Sequence, residues 1–172
     1  EVKIESKLGF DKLRDSVSRN CSTLYAKEMA SEEKISTVAE EVSRRLVLVD
    51  EFRQIMMFEP SFPDSPFVDC IPFLIPLKSE YAYIDLASLA RLRDALDLLR
   101  RILSFFSNCK EEKYPNLKKL SAPVISFPEV SRRIDTILDK YGNVRDNASE
   151  ELYAIRRSVR EKEGIASRRI QA

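Results

Sequence analysis

The 172-residue chain contains no histidine at all. Without imidazole there is no Ser-His-Asp triad, no helical zinc-protease motif and no ordinary transition-metal site. Glycine is nearly as scarce, at three residues. All-β folds and phosphate-cradling loops need more, and neither GxxxxGK[ST] nor GxGxxG occurs. No EF-hand spacing occurs either. Cys21, Cys70 and Cys109 are odd in number and form no CxxC pair, which reads as reduced thiols in a cytosolic protein. No apolar run approaches the roughly 18–20 residues that span a bilayer, and no signal-peptide pattern opens the chain. Net charge is only +1, so contact with a polyanion or a membrane would need a local patch. The first residue is Glu1 rather than Met, which points to a piece of a longer chain.

What is present is the raw material of a packed helical protein. Hydrophobic residues make up 44% and charged residues 33%, enough to fold. The length predicts one domain over 1–172, with lobes at 1–110 and 111–172. Phe10, Leu13, Val17, Cys21 and Leu24 predict a first helix over 9–20, continuing to about 30. Ser31 is a candidate N-cap for a long helix over 32–57, whose apolar stripe is Ile35, Val38, Val42, Leu46, Val49, Phe52 and Met56. Pro60, Pro63 and Pro66 end it. A short helix fits 69–75, and Tyr81, Tyr83 and Ile84 allow one small extended piece near 80–84. Asp85 caps a helix reaching 107, with Leu86, Leu89, Leu92, Leu96, Leu99, Leu103 and Phe106 as its apolar stripe. A short helix comes after Pro115, another runs from 128 to 140, and Gly142 supplies a left-handed turn. The last helix begins near Ser149, with Leu152, Ile155, Val159, Ala166 and Ile170 on its apolar face. The reading is all-α, with one long C-terminal helix.

Candidate chemistry is thin. Adjacent acids such as Glu40–Glu41 and Glu111–Glu112 point apart on a helix and read as solvated faces. Cys21 lies on an apolar face and reads as a structural thiol. Tyr81 and Tyr83 are expected to pack rather than to stack on a base or a partner. Arg156, Arg157 and Arg160 on the last helix have two readings: nucleic-acid phosphate contacts, or a solvated face paired with Glu161 and Glu163. No catalytic, cofactor-binding or metal-ligating residue is identified.

The most specific stretch is Gly142-Asn143-Val144-Arg145-Asp146-Asn147-Ala148-Ser149-Glu150-Glu151-Leu152. Read physically, it is a helix stop, a short extended turn and a helix restart. Gly142 permits the turn and Val144 pins it. Arg145 and Asp146 satisfy loop backbone groups or pair locally, and Asn147 or Ser149 caps the next helix. The block resembles the Gly-x-Val-Arg-Asp-x-Ala-Ser-x-x-Leu signature of the second subfamily of MutS-like proteins. Phe10-Asp11-Lys12, Ile35 to Phe52, Ile71-Pro72-Phe73-Leu74, Asp85 to Leu89, Tyr114-Pro115 and Phe127-Pro128-Glu129 agree with that family in order and spacing. Glu150 stands where the family usually has Pro, Tyr25 stands near a usual Gly, residues 58–83 diverge, and Lys162-Glu163-Gly164 interrupts the regularity of the last helix.

The resemblance implies the N-terminal part of a MutS-like helical core bundle. It implies a dimeric parent with an ATP- and Mg-dependent ATPase, a DNA clamp and an endonuclease domain, none of them within these residues. The implied partners are branched or mismatched DNA, or the ribosome, with no membrane and a cytoplasmic setting. The alternative is a helical scaffold or adaptor unrelated to MutS.

Overall fold

The computed structural model describes the backbone of residues 2–170 and the side chains of 4–170. Among these residues the regular structure is helical: α1 (Val2–Lys7), α2 (Phe10–Asn20), α3 (Leu24–Glu32), α4 (Ala39–Phe58), α5 (Ile71–Leu74), a 3-10 turn (Ile75–Lys78), α6 (Leu86–Asn108), α7 (Pro115–Ser121), α8 (Pro128–Ile137) and α9 (Glu150–Ile170). The all-α expectation holds. No strand forms near 80–84; among the described residues the β-type pairing is a single antiparallel bridge elsewhere, between Leu138 and Val144.

Several boundaries move for local reasons. Thr23 caps α3 by accepting from Ala26 N at 3.1 Å, and that helix passes straight through Ser31. Ser31 is therefore not a cap; its hydroxyl donates back to Glu28 O at 2.8 Å. The chain then runs extended over 33–38, where Ile35, Thr37 and Val38 are β-branched and disfavour helix. Arg14 fixes this connector by donating to Glu33 O at 2.7 Å. The long helix thus starts at Ala39, seven residues later than its apolar stripe suggested. At the other end, α8 stops at Ile137 rather than 140, because Leu138 turns extended to meet Val144. Asp85 does cap α6, accepting from Ser88 N at 2.9 Å and from Ser88 Oγ at 2.6 Å.

The chain divides into two compact units, each assembled from two stretches: Glu1–Pro72 with Asp94–Ser126, and Phe73–Arg93 with Phe127–Ala172. In the first unit, Ile55, Ala95, Leu98 and Tyr114 are buried, and α4 lies against α7. Phe52, Phe62, Phe105 and Phe106 extend this core through edge-to-face contacts with centroids 5.1–6.4 Å apart. In the second unit, Ile134 and Leu138 are buried.

Much of the apolar surface that the sequence assigned to a core is uncovered. Neither α2 nor α3 holds a buried residue, and Cys21 is only half-buried. On α9, Ile155, Val159 and Ile170 are exposed. Tyr81 and Tyr83 are 96% and 87% exposed, against the expectation that they pack. The backbone at Tyr81 turns left-handed at φ 63°, which ends any extended run there.

Candidate functional site at the start of the last helix

The Gly142–Leu152 block forms a joint between the end of α8 and the start of α9. Leu138 anchors it as a fully buried side chain. Asp139 then organises the reversal. Its N–H donates to Asn143 O at 2.8 Å, and its Oδ1 accepts from Tyr141 N at 2.8 Å and Asn143 N at 2.9 Å. These N–H donors, Asn143 first, hold the Asp139 carboxyl below its usual range. Gly142 carries the turn at φ 83°, a region that costs nothing only without a Cβ.

Arg145 closes the preceding helix. Its Nε donates to Asp135 O at 2.9 Å and Leu138 O at 2.7 Å, and its own N–H reaches Ile137 O at 2.8 Å. A guanidinium on the orphan carbonyls of a helix C-terminus satisfies acceptors and complements the helix dipole. Arg93 on α6 adds a further tie, donating to Asp139 O at 2.6 Å.

Asp146 opens the next helix. Its Oδ1 pairs with Arg156 Nη1 and its Oδ2 with Arg160 Nη2, about two and three turns into α9. The same Arg156 nitrogen donates to Val144 O at 3.2 Å. Hydrogen bonds from Arg156, then Arg160, hold the Asp146 carboxyl below its usual range. Ser149 is the cap: its Oγ accepts from Leu152 N at 3.1 Å. Gly142, Val144, Arg145, Asp146, Ser149, Arg156 and Arg160 therefore gather in one place. Arg157 stands apart on the open side of α9, bonded to Glu161 at 3.0 Å.

Two features carry little or no mark in the sequence. Asp139 is the more legible, since Asp at the first position of a turn with Gly at the fourth is a β-turn pattern. Glu51 gives no signal. It sits in the middle of α4, is 8% exposed, and accepts from Asn116 N, Asn116 Nδ2 and Leu117 N at 3.2, 2.7 and 2.8 Å. It thereby serves the first turn of α7 from 65 residues away. Next to it, Tyr114 is buried at φ 54° and donates to Glu59 Oε1 at 3.0 Å, and Lys113 reaches the same oxygen at 2.6 Å.

The described residues hold no group of three Cys, Asp or Glu side chains placed to bind a metal ion. No helix among them is long and apolar enough to cross a membrane. The Asp139, Arg145, Asp146, Ser149, Arg156 and Arg160 side chains of the joint hydrogen-bond to one another and to backbone.

The chain is thus a helical protein with a polar cluster between the end of α8 and the start of α9. It matches no protein-family model. It is 30% identical over 118 residues to an "Endonuclease MutS2" of Pelotomaculum thermopropionicum, a match covering 69% of this chain and 15% of that protein. It is 24% identical over 174 residues to a "Putative endonuclease MutS2" of Bacillus subtilis, covering 100% of this chain and 22% of that protein. An "Endonuclease MutS2" of Aquifex aeolicus is 25% identical over 173 residues, with 95% and 21% covered. The chain belongs to the MutS2 family, the second subfamily of MutS-like proteins. It spans about a fifth of the length of the relatives it matches.

Proposed function

We propose that the chain is a non-catalytic segment of a MutS2-type helical core, passing movement between an ATPase region and a DNA-embracing clamp. The observation that carries this reading is the joint at 138–160. Arg145 locks it to α8, Asp146 locks it to α9, and Arg93 locks it to α6. A joint tied by hydrogen bonds to three helices resists bending, so a displacement of one helix is passed to the next. On this reading, ATP, magnesium and strand cleavage belong to other parts of the whole protein. That protein is a cytoplasmic homodimer acting on branched or mismatched DNA or on the ribosome. Arg156, Arg157 and Arg160 are its candidate polyanion contacts here, with Asp146 competing against phosphate for the first and third.

The test is rigidity. Spin labels at Arg133 on α8 and Lys162 on α9 should give a narrow distance distribution that broadens in Asp146→Ala. A broad distribution already present in the wild type, unchanged by the substitution, would refute the transmission role. For the polyanion contacts, the chain should bind junction DNA weakly and lose it steeply with salt. Tight binding that survives Arg156→Glu with Arg160→Glu would remove them. ATP hydrolysis by the purified chain would overturn the non-catalytic assignment.

A further inference from the structure

The two sides of the joint are held in different ways. On the α8 side, Arg145 donates to the backbone carbonyls of Asp135 and Leu138 at 2.9 and 2.7 Å. Carbonyls at a helix end have no partner within it, so this tie serves groups that need one. On the α9 side the ties run to a side chain. Asp146 offers one carboxylate to two guanidiniums, Arg156 on Oδ1 and Arg160 on Oδ2. Four residues apart on one helix, these arginines share a face and reach the same group.

The ties to Asp146 are exchangeable. Its side chain is 42% exposed, and those of Arg156 and Arg160 are 38% and 65% exposed. Parting them leaves no buried charge, because water reaches all three groups. Glu51, buried with three donors, has no such freedom. Arg160 is the more loosely held, since Asp146 is its one ion-pair partner. Arg156 is held a second time, by donating to Val144 O at 3.2 Å. A backbone phosphate carries one negative charge, as the carboxylate does, and accepts from a guanidinium in the same two-oxygen manner. It is a direct substitute for Asp146.

Given the polyanion contacts proposed above, we infer that DNA binding and the lock between α8 and α9 exclude one another: phosphate takes Arg160 and then Arg156 from Asp146, and α9 comes free of the turn that ties it to α8. Asp146 is a built-in competitor. Its carboxylate reaches both arginines without leaving the chain, so it holds the affinity for DNA down as long as the joint is closed. The linkage runs both ways: DNA opens the joint, and opening the joint strengthens DNA binding by the same factor. With DNA absent, α9 moves with α8; with DNA bound, it moves with the DNA. Arg145 stays on α8 in both states, since leaving would strand the carbonyls it serves.

Half-exposed ion pairs shift an equilibrium by a factor of a few each, so Asp146→Asn should tighten binding of junction DNA about three- to tenfold, read by fluorescence anisotropy. Glu129→Gln removes an equal charge from an exposed ion pair on α8 and should change the affinity less than about twofold at about 0.15 M salt, where distant charges are screened. A second readout needs no substitution within the joint. With spin labels at Arg133 and Lys162, the narrow α8–α9 distance distribution should broaden as junction DNA is added, and in Asp146→Asn it should be broad before any DNA. If Asp146→Asn binds no tighter than wild type while Arg156→Glu with Arg160→Glu abolishes binding, the arginines contact DNA without competing with Asp146; the coupling is then overturned and the contacts stand. A distribution that stays narrow at saturating DNA overturns the coupling as well. Binding indifferent to Arg156→Glu with Arg160→Glu removes the contacts themselves, and the coupling with them.

Discussion

Replacing Glu51 tests the tertiary reasoning most severely, because nothing in the local sequence marks this residue. Its carboxylate is buried and accepts three hydrogen bonds, two of them from backbone N–H groups in the first turn of α7. Those N–H groups have no partner within their own helix. Hydrogen bonds to a charged group contribute about 1.5–3 kcal/mol each, and stranding a buried donor costs about 1–3 kcal/mol. The three share one carboxylate and are not additive, and water entering the vacated space recovers part of the loss. Glu51→Ala should therefore cost about 2–4 kcal/mol, a large share of the roughly 5–15 kcal/mol that holds a typical domain. Glu51→Gln keeps an acceptor for Asn116 but turns an amide NH₂ towards Leu117 N–H, so about 1–2 kcal/mol is expected. Urea unfolding monitored by circular dichroism reads the midpoints, and hydrogen exchange at the Leu117 amide reads the local consequence. Glu40→Ala, on an exposed turn of the same helix, should stay within about 0.5 kcal/mol of wild type. If Glu51→Ala and Glu40→Ala unfold alike, and the Leu117 amide exchanges no faster, then Glu51 does not hold α7 and the account of the first unit is wrong.

Two further outcomes concern the joint. The Asp139 and Asp146 carboxyls are held below the ordinary value of 3.8, so their contribution is complete above that value and is lost as pH falls through their lower folded values. Thermal melts should be insensitive to pH from neutrality down to about 4.5, the ordinary value of Glu41 and Glu59, which are also held low, and then decline, with a shallower decline below 3.8 in Asp146→Asn; a decline setting in near neutral pH would contradict the assignment. Gly142→Ala places a Cβ at ordinary contact, 3.6 Å from Ala90 Cβ, so its cost should come from the φ of 83° alone and amount to about 1–2 kcal/mol. A melting temperature equal to wild type would show that this turn is not held left-handed in solution.

The periodicity of Leu89 to Leu103, the prolines and the capping residues determined by themselves that this chain is helical, because each acts over three or four neighbours. The Asp85 and Ser149 caps and the Gly142 turn are legible for the same reason: their partners lie within a few residues. Ser31 misleads because a cap is defined by where the helix begins, and the β-branched residues after it postpone that beginning to Ala39. Periodicity also says that a face is apolar without saying what covers it. The stripes of α2, α4 and α9 therefore look like core along the chain, although most of their side chains meet solvent. Only the tertiary structure decided three things: that Glu51 serves a helix 65 residues away, that each unit is built from two separated stretches, and that Arg156 and Arg160 close on Asp146. The charge of those arginines is visible in the sequence. Whether it faces phosphate or a carboxylate depends on a turn that brings Asp146 alongside the new helix, which no pattern along the chain records.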